Sequence, residues 1–148
     1  MRLVLMIAVA LIPASVRAET LDDTKAFDHA FAASFYTYDA CGEGKYGVIF
    51  RKALDARFAE CPFTPQARAA HLRRNRLQSE KSHDMMNALI EQTGGMPTRL
   101  PGMEETCRQQ QKEPDYVATR EKLARFADGA LKPEDILPGP CDADVVAP

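Results

Sequence analysis

The chain has 148 residues, 27% of them charged, with 19 basic against 21 acidic side chains and a formal net charge of −2. That length suits one domain with a core of its own. The near-balanced charge offers no footprint for nucleic acid, and no apolar run reaches the roughly 20 residues that a bilayer-spanning helix needs.

Residues 1–18 read as a secretory leader. Arg2 supplies the positive start, Leu3 to Ile12 is an unbroken apolar run, and Val16 and Ala18 are the small residues that a signal peptidase reads. No Cys stands at that cut, so no lipid attachment is expected. Removing the leader takes Arg2 and Arg17 away and leaves 17 basic (19 − 2) against 21 acidic residues, a net charge of −4. The expected organisation is a leader over 1–18, a helical domain over 19–137 and an extended C-terminal tail over 138–148. The expected location is the periplasm or the extracellular space, without a membrane anchor.

From Thr20 to Tyr38 the spacing predicts a helix. Thr20 stands at the cap, Asp22 and Asp23 lie in the first turn, and Phe27, Phe31, Phe35 and Tyr38 form one stripe. Cys41-Gly42-Glu43-Gly44 ends it. A second helix is expected over 45–60, its inner stripe running from Tyr46 through Phe50 and Leu54 to Phe58, and Pro62 stops it. Thr64-Pro65 restarts helix as a capping hydroxyl followed by a proline. This third helix is expected to run to Thr93, with Leu72, Leu77, Met86, Leu89 and Ile90 inward and a kink in the polar stretch Gln78 to Ser82. Residues 94–102 hold two prolines and three glycines and read as a loop. Short helices follow near Met103–Lys112, from Pro114 towards Gly129, and at Pro133–Leu137. The tail is expected to be held at Cys141 alone. The fold class is therefore all-α, a small bundle of four to five helices.

The cysteines fix the topology. Cys41, Cys61, Cys107 and Cys141 are separated by 20, 46 and 34 residues, without the paired C-x-x-C spacing of a thiolate metal site. An even count in an exported chain reads as two disulfides. A helix over 45–60 holds Cys41 and Cys61 roughly 25–30 Å apart, whereas a disulfide needs Cα atoms within about 7 Å. That excludes the Cys41–Cys61 pairing. An up-and-down path through the long third helix returns Cys107 to Cys41, which gives Cys41–Cys107 and Cys61–Cys141.

Candidate sites are few. His83, Met85, Met86, Met96 and Met103 carry the imidazole and thioether groups that soft Cu(I) selects. On a helix Met85 and Met86 point about 100° apart, so His83 and Met86 are the pair that shares a face. Packing is the competing role for these methionines. Acidic pairs at Asp22-Asp23, Glu104-Glu105 and Glu134-Asp135 match helix starts, which the helix dipole favours without a metal. Asp142-Ala143-Asp144 is too small a set for calcium. Arg68, His71, Arg73, Arg74 and Arg76 form a basic stretch over more than half of the helix circumference; within it Arg73, Arg74 and Arg76 are the candidate contacts for an acidic partner.

His83-Asp84 resembles the His-Asp pair of secreted calcium-dependent phospholipases, in which the His activates a water and the Asp helps to hold calcium. Cys41-Gly42-Glu43-Gly44 stands in that resemblance for the calcium loop. The chain departs from the family pattern in two ways: no Cys adjoins the His-Asp pair, and the glycine segment lies about forty residues upstream. No G-x-S-x-G elbow, redox C-x-x-C or haem-attachment C-x-x-C-H is present.

The function expected from the sequence is that of an exported, non-catalytic binding protein, needing no cofactor, that recognises a partner protein in the periplasm or envelope as an inhibitor, immunity factor or assembly accessory. A periplasmic carrier of metal or a small ligand is the second reading, and a small hydrolase around His83-Asp84 the third.

Overall fold

The computed structural model describes residues 19–143. The expected leader over 1–18 and residues 144–148 of the expected tail lie outside them.

Among the described residues six α-helices follow one another: α1 (Lys25–Ser34), which continues into a π-helical turn (Phe35–Asp39), α2 (Gly44–Glu60), α3 (Pro65–Thr93), α4 (Glu104–Gln110), α5 (Pro114–Ala127) and α6 (Pro133–Ile136). The described residues form no strand; an isolated parallel bridge joins Leu21 to Phe63. The protein is an all-α bundle stapled by two disulfides, Cys41–Cys107 and Cys61–Cys141, with Cα separations of 5.3 and 5.6 Å. One clamps the start of α2 and the other its end, as the helix-length argument requires.

The first helix starts five residues later than the sequence pattern suggests. Leu21 spends its backbone laterally, donating from its N–H to Pro62 O and accepting from Thr64 N–H, both at 3.0 Å. The N-cap position then falls to Thr24, with Asp23 Oδ1 accepting the Lys25 N–H at 2.8 Å, so Thr20 is not the cap. At its far end α1 widens: Ala40 N–H reaches back five residues to Phe35 O at 2.8 Å, and Glu43 N–H to Tyr38 O at 2.7 Å. Such π-turns are costly insertions that recur at functional sites.

The core packs around α2. Phe50, Leu54 and Phe58 meet Phe27, Phe31 and Tyr38 on one side, and Tyr116, Leu123 and Leu137 on the other. Phe58 stacks on Phe63 at 4.7 Å and meets the edge of Phe27 at 5.2 Å. Aromatic pairs of this kind contribute about 0.5–1.5 kcal/mol each beyond their buried area. Gly47 lets α2 close on the π-turn, for a Cβ there would lie 2.9 Å from Asp39 Oδ1 and 3.1 Å from Tyr38 Cβ.

The buried face of α3 is not the expected one. Leu72 and Leu77 are 63% and 59% exposed, and the buried positions are Ala67, His71 and Asn75. A polar contact with α1 sets this orientation: His71 Nδ1 lies 2.7 Å from Asp28 Oδ1 and its Nε2 lies 3.0 Å from Asn75 Nδ2. His71 also stacks on Phe58 at 4.0 Å. The expected kink is absent too. α-Helix continues through Gln78 to Ser82, where Gln, Glu and Lys are good helix formers and Arg76 pairs with Glu80 one turn on. No residue of α3 beyond Asn75 is buried, so its second half extends past the core. The tail has a second tie besides Cys141: Arg57 Nη2 donates to Gly139 O at 2.8 Å.

Candidate functional site

The free half of α3 overhangs the π-turn, and between them runs an open groove of about 680 Å3. Phe35, Tyr36 and Asp39 of the turn form one wall; Ser79, Ser82, His83, Met85 and Met86 of α3 form another; Met96, Pro97, Thr98 and Leu100 close the end. The π-turn is what presents Phe35, Tyr36 and Asp39 to this side while Tyr38 stays wholly buried. Most of the lining is apolar.

The floor is rigid. Arg51 of α2 donates through Nη1 to Asp39 Oδ2 at 2.7 Å and to Ser34 Oγ at 3.0 Å, and its guanidinium lies 4.6 Å from the centre of the Phe35 ring. Both members of the Arg51–Asp39 pair are largely covered, their side chains 17% and 24% exposed. The end wall is pinned to the same floor. Leu100 N–H donates to Ala40 O at 3.1 Å. Gln111 bridges the segment, accepting from Arg99 Nη2 at 3.4 Å and donating to Cys41 O at 3.2 Å. Gly42, at φ +75°, is where the two backbones meet: a Cβ there would lie 2.3 Å from Thr98 O. The Cys41–Cys107 disulfide braces this whole end.

A second polar cluster lies where α5 meets α2. Tyr116 donates its hydroxyl to Glu43 Oε2 at 2.6 Å, and Arg120 Nη1 lies 3.2 Å from Glu43 Oε1 while its guanidinium covers Tyr46. Burial, and then the bond to the Glu43 carboxylate, push the Tyr116 phenol well above its ordinary range; burial, with the same carboxylate nearby, does so for Tyr38. Both oxygens of Glu43 are thus engaged by α5, and the Cys41–Gly44 segment serves as a structural clamp.

The structure gathers some of the sequence candidates and disperses others. His83, Met85, Met86 and Met96 all line the groove. Met86, three residues beyond His83, sits on its face of α3, and Met85 reaches the same groove from about 100° round the helix. Met103 stands at the N-cap of α4 and takes no part. His83 Nδ1 lies 3.1 Å from Asn87 Nδ2. Among the described residues no three His, Cys, Asp or Glu side chains converge to hold a metal.

The basic stretch separates into distinct roles. Arg68 hydrogen-bonds the carbonyls that close α2, reaching Phe58 O and Phe63 O at 3.2 Å, Ala59 O at 3.3 Å, and Cys61 O. Arg74 is drawn to Asp28 at 2.7 Å and to Thr24 Oγ1 at 2.6 Å. His71 is buried. Arg73 and Arg76 remain exposed, with Arg76 facing Glu80 at 3.7 Å. The Asp39–Arg51 floor and the π-turn escaped sequence reasoning; the one available signal was the glycine pair Gly44 and Gly47, which marks close backbone approach.

No protein-family model, curated protein or solved structure matches the chain.

Proposed function

We propose that this is an exported, non-catalytic binding protein of the periplasm or extracellular space that takes an apolar segment of a partner protein into the groove between α3 and the π-turn. The two disulfides support an oxidising compartment outside the cytosol. The observation that carries the reading is the construction of the groove. One wall is fixed by Asp39, Arg51 and a disulfide-braced loop; the other is the half of α3 beyond Asn75, which holds no buried residue and bears unbranched, adaptable methionines. Thioether side chains repack around differing apolar shapes at little cost, and the pinned wall supplies register. Inhibitor, immunity factor and assembly accessory are the roles that this reading covers.

Capture from native envelope extract tests the reading. Wild-type protein is expected to retain a stoichiometric partner that Met86→Glu loses, because a carboxylate in a mostly apolar groove is desolvated when the partner binds, and the groove's Arg51 is already paired with Asp39. Lys122→Glu, on the exposed face of α5, is expected to retain it. Equal capture by wild type and Met86→Glu would overturn the reading.

A further inference from the structure

We propose that His83, Met86 and Met96 form a soft-metal site that takes one Cu(I) at the mouth of the groove. The first two ligands are set by the helix, since side chains three residues apart stand on one face within about 6 Å of each other. The third comes from the facing loop: Met96 is 72% exposed, lines the same groove and follows Gly94-Gly95, where an added Cβ would meet no heavy atom within 4 Å beyond the adjoining residues. Two thioethers and an imidazole make a soft, neutral ligand set, which suits a monovalent soft cation and offers hard cations little. A three-coordinate Cu(I) centre needs no carboxylate or thiolate. All four cysteines are in disulfides and do not compete for the ion.

Asn87 orients the imidazole. With its amide turned so that Oδ1 accepts from the His83 Nδ1–H, the ring directs the unprotonated Nε2 lone pair outward, the arrangement usual for a metal-binding histidine. The 3.1 Å contact between the two side chains serves either amide orientation. Met85, at the margin of the groove and 45% exposed, is left to the apolar wall. The site needs no partner protein, so it stands or falls apart from the reading above.

The experiment is an anaerobic titration of the purified, disulfide-intact chain with Cu(I) against a chromogenic Cu(I) chelator. One equivalent is expected to transfer to the protein. Met86→Leu and Met96→Leu, which keep volume and apolarity, are each expected to weaken the site at least 10-fold, as is His83→Gln. Met103→Leu and His29→Gln are expected to leave it unchanged. Ag(I), a redox-inert substitute, is expected to shift the methyl resonances of Met86 and Met96 and to spare that of Met103. Failure of wild type to take Cu(I) from the chelator, or unchanged affinity in Met86→Leu and Met96→Leu, would overturn the proposal.

Discussion

His71 Nδ1 lies 2.7 Å from Asp28 Oδ1, and this polar contact holds α3 to α1 and so determines which way the groove wall faces. The ring is almost wholly buried, between the Phe58 face and Asn75. His71→Ala therefore opens a cavity and takes from Asn75 its imidazole partner, while Asp28 keeps Arg74 and Thr24, at an expected cost of about 3 kcal/mol. Leu72→Ala, one position on and largely exposed, is expected to change stability by less than about 0.5 kcal/mol. Denaturant unfolding of the two variants decides between these faces, because an inward Leu72 would reverse the order.

The disulfides close loops of 66 and 80 residues. In the chain-entropy model each contributes about 4 kcal/mol by restricting the unfolded chain. Cys61→Ser with Cys141→Ser is expected to lower the denaturant midpoint while leaving the helical circular-dichroism signal. Cys41→Ser with Cys107→Ser is expected to lower it as well and, in addition, to loosen residues 94–102, read as faster amide exchange at Leu100. Equal exchange at Leu100 in both double variants would show that the Cys41–Cys107 bridge does not brace the groove.

Tyr38 and Tyr116 link stability to alkaline pH. Burial raises both phenols above the ordinary value of 10.0, with the Glu43 carboxylate adding to it. The folded state thus holds these protons more tightly than the unfolded one, so their contribution is fully present below about pH 10 and is lost as pH rises above it. A unfolding free energy that falls above that pH is expected, and a shallower fall in Tyr38→Phe and Tyr116→Phe. Identical pH profiles in the variants and wild type would remove the linkage.

Gly42 is the point at which the groove's end wall meets its floor. A methyl group there meets Thr98 O at 2.3 Å on a backbone already at φ +75°, so Gly42→Ala must push the loop away. A loss of about 2 kcal/mol or more is expected, together with displaced Thr98 and Arg99 amide resonances. Gly95→Ala, where a Cβ has no heavy atom within 4 Å, is expected to leave those resonances in place.

Much of this architecture was legible from the residues. The Thr64-Pro65 start and the Gly94 end bound α3 as read, because capping chemistry is local. The disulfide pairing followed from helix length, because a rigid rod excludes Cys41–Cys61. Three features were hidden for a shared reason, that each depends on residues distant in sequence. Apolar periodicity turned Leu72 and Leu77 inward, whereas the buried positions are the polar His71 and Asn75, whose partner Asp28 lies 43 residues upstream of His71. The late start of α1 depends on Leu21 bonding to Pro62 and Thr64. The groove joins the π-turn, residues 79–86 of α3 and residues 96–100, and no window contains all three. The histidine and methionines were visible as chemistry; their place along one groove was not.

Site-specific photo-crosslinking in the native envelope tests the recognition groove most directly. A photoreactive phenylalanine analogue replacing Met85, at the groove margin, is expected to give one discrete protein adduct, and the same group replacing Lys122 on α5 none. Adducts of equal yield from both positions, or none from Met85, would contradict the assignment of this groove as the binding surface.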